Sequence, residues 1–128
     1  MGNRENTDGF EQFEVWQKAI DLAVSIYKLT DNFPKSEIYS LTNQMRRASS
    51  SISANIAEGY GRHGYKEKMQ FYKIANGSLL ETKSFCYLAN RLGYINDQEL
   101  DETIPHFVDL QRLINALIRS IRMKNDDE

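Results

Sequence analysis

Three clusters of turn-forming residues, Asn32-Phe33-Pro34, Gly59-Tyr60-Gly61 with Gly64, and Gly93-Tyr94, divide the chain into four stretches. Each stretch repeats its apolar residues every three or four positions, the period of an amphipathic helix. No alternating run of β-branched residues reads as a strand. Helices of ~20 residues are ~30 Å long, and short links between them force antiparallel neighbours. The expected fold is therefore all-α: an antiparallel up-down-up-down four-helix bundle.

The first helix is expected from Phe13 to Asp31, with Trp16, Ala19, Ile20, Ala23, Ile26, Tyr27 and Thr30 on its inner face. The second should start at an N-cap, Ser36, and stop at Gly59 in a left-handed turn. Its stripe is Ile38, Leu41, Met45, Ala48, Ile52 and Ile56. The third, from Tyr65 to just before Gly93, aligns Phe71, Ile74, Ala75, Ser78, Thr82, Phe85, Ala89 and Leu92. The fourth opens at Asn96 with Glu99 as a capping-box partner and turns Leu100, Phe107, Ile114, Leu117, Ile118 and Ile121 inward. Pro105 should kink or break it. Residues 1–12 read as a polar, frayed segment, 13–123 as the bundle and 124–128 as an acidic tail.

Apolar residues make up 41% and charged residues 27% of the 128, as in an ordinary folded domain. The net charge of −2 conceals a pattern. Residues 35–83 carry eight Lys/Arg against four Asp/Glu, whereas 84–128 carry five against eight. A basic middle between acidic ends hints at an anionic partner. The single cysteine, Cys86, excludes an internal disulfide. The polar start lacks the apolar core of a signal peptide, and no apolar run is long enough to span a bilayer. A cytoplasmic location without membrane contact is the expectation.

Two helices carry more apolar surface than a lone bundle needs. Helix three adds Met69, Leu80 and Tyr87, and helix one adds Val15, Leu22, Leu29 and Phe33. Leu22, Leu29, Met69, Leu80 and Tyr87 are the expected oligomer interface, because helices apolar on several sides are buried on several sides.

A polar stripe on helix two, Gln44, Ser51, Asn55 and Glu58, should form a packing and register network with Ser78 and Glu81 across the seam. An active site on Asn55 and Glu58 is the alternative. Gly77-Ser78 should allow close helix approach. Glu58 lies in a last helical turn, where the dipole disfavours an anion by ~0.3–1 kcal/mol. A cationic partner is expected, either Arg62 or Arg46 or Arg47 of a neighbouring chain. The turn from Gly59 to Gly64 reads as a helix cap, or alternatively as a phosphate cradle flanked by Lys66 and Lys68.

Enzyme templates fail individually. There is no Glu-x-x-His pair, His63 and His106 lack ligand spacing, and Cys86 has no activating neighbour. The expectation is a protein without catalytic residues, cofactor or metal.

Several strings together carry a resemblance: Phe13…Trp16-x-Lys18-Ala19, Phe33-Pro34-Lys35-x-Glu37, Tyr39-x-Leu41-Thr42-x-Gln44-x-Arg46-Arg47-Ala48, Ser51-Ile52-x-Ala54-Asn55-Ile56-Ala57-Glu58-Gly59, Ile74-Ala75-x-Gly77-Ser78-Leu79-x-Glu81 and Leu92-Gly93-Tyr94. From about Phe13 to Met123 the chain resembles the bacterial four-helix-bundle proteins encoded in intervening sequences of 23S ribosomal RNA genes. The resemblance implies a ring-like homopentamer. It also implies kinship with the accessory protein of diversity-generating retroelements, which binds a reverse transcriptase and nucleic acid through a basic surface. The expected function is thus a homo-oligomeric module that binds RNA, DNA or a nucleoprotein partner such as a reverse transcriptase. Arg46, Arg47, Arg62, Lys66, Lys68 and Lys73 would be its phosphate contacts. The alternative is a structural scaffold that binds protein alone.

Overall fold

The computed structural model describes residues 9–126. Helices α1 (Glu14–Thr30), α2 (Leu41–Tyr60), α3 (Tyr65–Arg91) and α4 (Asp97–Asp126) are joined by short turns, with 3-10 turns at Phe10–Gln12 and Lys35–Glu37. Contacts run α1 to α2, α2 to α3 and α3 to α4, and α4 closes the bundle against α1. This is the up-down-up-down four-helix bundle. The α1–α4 seam is the thinnest of the four.

The core comes from one face of each helix. Ala19 and Ile26 of α1 meet Met45, Ile52 and Ile56 of α2, Tyr72, Leu79 and Cys86 of α3, and Phe107, Leu110 and Ile114 of α4. Burying each large aliphatic side chain contributes roughly 1.5–3 kcal/mol. On α2 the expected stripe is buried from Leu41 onward, whereas Ile38 lies outside the helix and is exposed.

On α1 the buried set is rotated by about one residue from the expected one. Val15, Leu22 and Phe33 are core, while Trp16 and Ile20 are half-buried and Tyr27 is exposed. Leu22 therefore cannot serve as an oligomer contact, because its own bundle already buries it. Leu29 and Met69 are half-buried against the core, and Leu80 and Tyr87 remain exposed. The surplus apolar surface on α1 is instead Ile20, Val24 and Tyr27, which line a cleft with Arg46. A similar rotation on α3 puts Tyr72, Leu79 and Cys86 inside and leaves Ile74 and Leu92 exposed.

The helix ends show where local chemistry is decisive. Gly93 has φ +82° and ends α3 in a Schellman turn, with Tyr94 N–H donating to the Ala89 carbonyl and Gly93 N–H to Asn90. The capping box of α4 forms in both directions: Glu99 N–H to Asn96 Oδ1 at 2.8 Å, and Asn96 N–H to Glu99 Oε1 at 3.0 Å. Gly59, however, is not a terminator. It lies inside α2 and is buried, and a Cβ there would come within 2.5 Å of the Tyr72 ring. Conversely, Gly77 is exposed, and an added Cβ would meet nothing within 4 Å, so it is not a close-approach point.

Ser36 does not cap α2 either. It sits in the 3-10 turn, and α2 starts at Leu41, whose N–H points to Glu37 Oε1. Pro105 does not break α4, which runs on to Asp126. Asp101, whose carbonyl the missing Pro105 N–H would have met, is exposed to solvent. At the other end, Phe10 packs edge-on against Trp16 at 5.0 Å, so the ordered fold begins before residue 13. The expected fraying of residues 1–8 and 127–128 falls outside the described residues.

Glu37 fastens two turns together. It accepts hydrogen bonds from Ser40 Oγ and from Tyr94 Oη at 2.9 Å, linking the α1–α2 connection to the end of α3. The Ser40 hydroxyl first, then Tyr94 and the Leu41 N–H, hold its carboxyl below the usual 4.5. A depressed folded-state pKa contributes stability that is full above the ordinary glutamate value and disappears as pH falls through the folded value. The expected result is that Glu37→Gln lowers the melting temperature at pH 7 and that the gap to wild type closes towards pH 3. Thermal melts across that range check it, and a pH-independent gap would count against the linkage.

Candidate nucleic-acid interface

Three of the six expected phosphate contacts already have partners within the chain. Arg46 folds back over the end of α1. Its Nε donates to Thr30 Oγ1 at 2.9 Å, its Nη2 reaches the Tyr27 carbonyl and Asp31 Oδ1, and its guanidinium lies 4.8 Å from the Tyr27 ring centroid. Arg62 pairs with Glu58 at 2.9 Å and lies over Phe71. This is the local partner that Glu58 required, although an exposed pair of this kind contributes only about 0–1 kcal/mol. Lys68 Nζ donates to the Gly59 and Tyr60 carbonyls at 3.2 and 2.8 Å. A lysine from the next helix thus completes the end of α2, which is how that helix stops without a left-handed glycine.

Arg47, Lys66 and Lys73 are exposed, with no hydrogen-bond or ion-pair partner among the described residues. Lys66 and Lys73 come together. With Tyr65, Met69, Gln70 and Asn125 they line a groove of about 340 Å³ between the start of α3 and the end of α4. Burial first, and then the charge of Lys124, hold the Lys68 ammonium below the ordinary lysine pKa, so Lys124 belongs to the same end of the bundle. Arg47 is elsewhere, in a cleft on the α2–α3 seam with Gln44, Ala48, Ser51, Ser78 and Glu81.

The cations at the end of α4 were missing from the expected set. Arg119, Arg122 and Lys124 lie in the last turns of α4, ahead of the acidic Asp126, Asp127 and Glu128, while Arg112 lies further back and pairs with Asp109 at 3.6 Å. Averaging over 84–128 hid them beneath the acidic start of the same helix. Antiparallel packing brings Lys124 and Asn125 to the start of α3, beside Lys66 and Lys68.

The polar stripe divides in two. Asn55 Nδ2 donates to the Ser51 carbonyl and Oγ at 2.8 and 2.9 Å, and Ser78 Oγ bridges from α3 to Ser51 Oγ at 3.0 Å. Gln44, Glu58 and Glu81 are exposed and take no part in this bridge. In the turn after α2, the Gly61 and Arg62 N–H groups are taken up by the Ala57 and Gly59 carbonyls, as in a helix end. Cys86 is buried, and burial pushes its thiol up to about 12, so it is a protonated core residue at neutral pH. Among the described residues no three His, Cys, Asp or Glu side chains gather as a metal-holding group, and no helix is long and apolar enough to cross a membrane.

The sequence matches the family described as 23S rRNA-intervening sequence protein over residues 11–116. The chain belongs to that family. Among solved structures it is similar to a protein of unknown function from the S23 ribosomal protein family of Bacteroides thetaiotaomicron. The TM-score is 0.76 at 23% identity, over 82% of this chain and 95% of that one, a likeness that shows the shared fold. No curated protein matches the sequence. The two chains thus share the four-helix bundle.

Proposed function

We propose that this family member is a cytoplasmic, non-catalytic binding module that self-associates and holds nucleic acid by its phosphates, alone or beside a nucleoprotein partner such as a reverse transcriptase. The observation that carries this reading is the gathering of Lys66, Lys73 and Lys124 at one end of the bundle, with Lys66 and Lys73 unpaired among the described residues. Arg46, Arg62 and Lys68 are engaged internally and leave the set of phosphate contacts. Self-association is supported by exposed Val24 and Tyr27 on α1 and by Leu80 and Tyr87 on α3, apolar surface of the kind that marks interfaces. Five subunits is the number that the sequence resemblance implies. Repeating a modest basic patch around such an assembly raises avidity without new contacts.

The protein is expected to have an oligomeric mass by light scattering at micromolar concentration, and Leu80→Asp with Val24→Asp should lower it. In a low-salt shift assay it should bind RNA or DNA, weakening steeply as salt rises because bound phosphates release counterions. A monomeric mass removes the assembly. Absence of any shift removes the nucleic-acid role and leaves a protein-binding scaffold, to be sought by pull-down of a co-encoded partner.

A further inference from the structure

The groove at the basic end has two properties that a phosphate patch does not need. Its walls are mainly apolar, although Tyr65 and Met69 are the only apolar residues among the six that line it, so the stems of its polar side chains contribute as well. Its polar groups include two amides, Gln70 and Asn125, each able to donate and accept at once. A duplex turns its charged backbone outward and keeps its base faces stacked, so it has nothing to offer an aromatic, amide-lined cleft. An unpaired strand has exposed base faces and edges as well as phosphates, and matches both parts of the groove.

We infer that this groove takes single-stranded nucleic acid, with a base against Tyr65 and neighbouring phosphates on Lys66 and Lys73. The inference rests on the phosphate-binding reading above and gives it a substrate class. Helical spacing fits the assignment. Tyr65, Lys66, Met69, Gln70 and Lys73 follow at one-, three-, one- and three-residue steps, which keeps them along one side of α3. Lys66 and Lys73, seven residues apart, stand roughly 10.5 Å apart along the axis and flank the apolar floor. Charge complementarity selects an anion, and the half-buried tyrosine selects one that carries a flat ring. A free phosphate would satisfy the lysines and leave the ring without a partner.

The test is fluorescence anisotropy of the full chain with labelled oligothymidylate and oligouridylate, against a duplex of equal length, at several salt concentrations. The single strands should bind at least tenfold more tightly than the duplex. Because Tyr65 also packs on the core, Tyr65→Leu is the informative variant and Tyr65→Phe its control. Tyr65→Leu should weaken single-strand binding by about 5- to 150-fold with the salt slope unchanged, and Tyr65→Phe should bind as wild type. Lys66→Gln with Lys73→Gln should lower the slope of log affinity against log salt by about 0.7 per lysine. Equal binding of duplex, or single-strand binding indifferent to Tyr65→Leu, overturns the inference while the phosphate reading stands. Failure of wild type to bind any of these probes overturns both.

Discussion

Gly59→Ala destabilises the bundle by an expected ~1–3 kcal/mol, the usual cost of overpacking a filled core. Within a helix, alanine is normally favoured over glycine by up to about 1 kcal/mol, so the expected sign is opposite to that of simple propensity. The reason is the Tyr72 ring. An added Cβ would lie 2.5 Å from its Cε1 and 2.9 Å from its Cδ1. Tyr72 is 1% exposed and has no route to swing aside. Gly77→Ala provides the internal comparison, because a methyl there meets nothing and should add up to about 1 kcal/mol. Urea titrations at one fixed protein concentration measure both, since self-association of the proposed kind would make apparent stability concentration-dependent. Stabilisation by both substitutions would mean that the α2–α3 contact is not tight.

The largest single loss is expected at Phe107. Phe107 is 0% exposed and belongs to the core cluster to which all four helices contribute. Truncation to alanine removes the transfer free energy of the ring and leaves a cavity, together about 3–5 kcal/mol. Against a total stability of ~5–15 kcal/mol for a domain of this kind, that is a third or more of the whole. The urea midpoint should fall with little change in slope, because the surface exposed on unfolding stays nearly the same. A shift below about 1 kcal/mol would place Phe107 outside the core.

The fold was legible because its signals were redundant. Four helical periods, the Asn96–Glu99 box and the Gly93 turn all point to the same bundle, and each is formed. The rotation of α1 was not legible. Val15, Trp16, Ala19, Ile20, Leu22, Ala23, Val24, Ile26 and Tyr27 spread apolar surface over most of that helix, so several faces compete and only neighbouring helices decide. Gly59 was misread for a related reason. A glycine at a helix end and a glycine beneath a tyrosine ring look alike until the partner thirteen residues on, Tyr72, is brought against it. The polar bridge could be read from spacing, because Ser51 and Asn55 stand one turn apart facing small α3 residues. The basic groove could be read only in part. Lys66 and Lys73 are evident on α3, whereas Lys124 and Asn125 join them through antiparallel packing, a relation without a local sequence signal.

The thin seam between α1 and α4 sets how the molecule breathes. The other three seams join helices that follow one another along the chain, so they close over short loops at small entropic cost. The fourth must bring the two ends of the bundle together across the intervening α2 and α3, and it has the fewest contacts to reward that closure. It is the seam expected to form last and to open first, with α2 and α3 remaining docked, and amide exchange along the seam would report that opening. Were the subunits to assemble as proposed above, a terminal helix released this way would have a neighbouring copy of its own docking site within reach. Exchange of that helix between protomers would then be a route to interlocked assemblies.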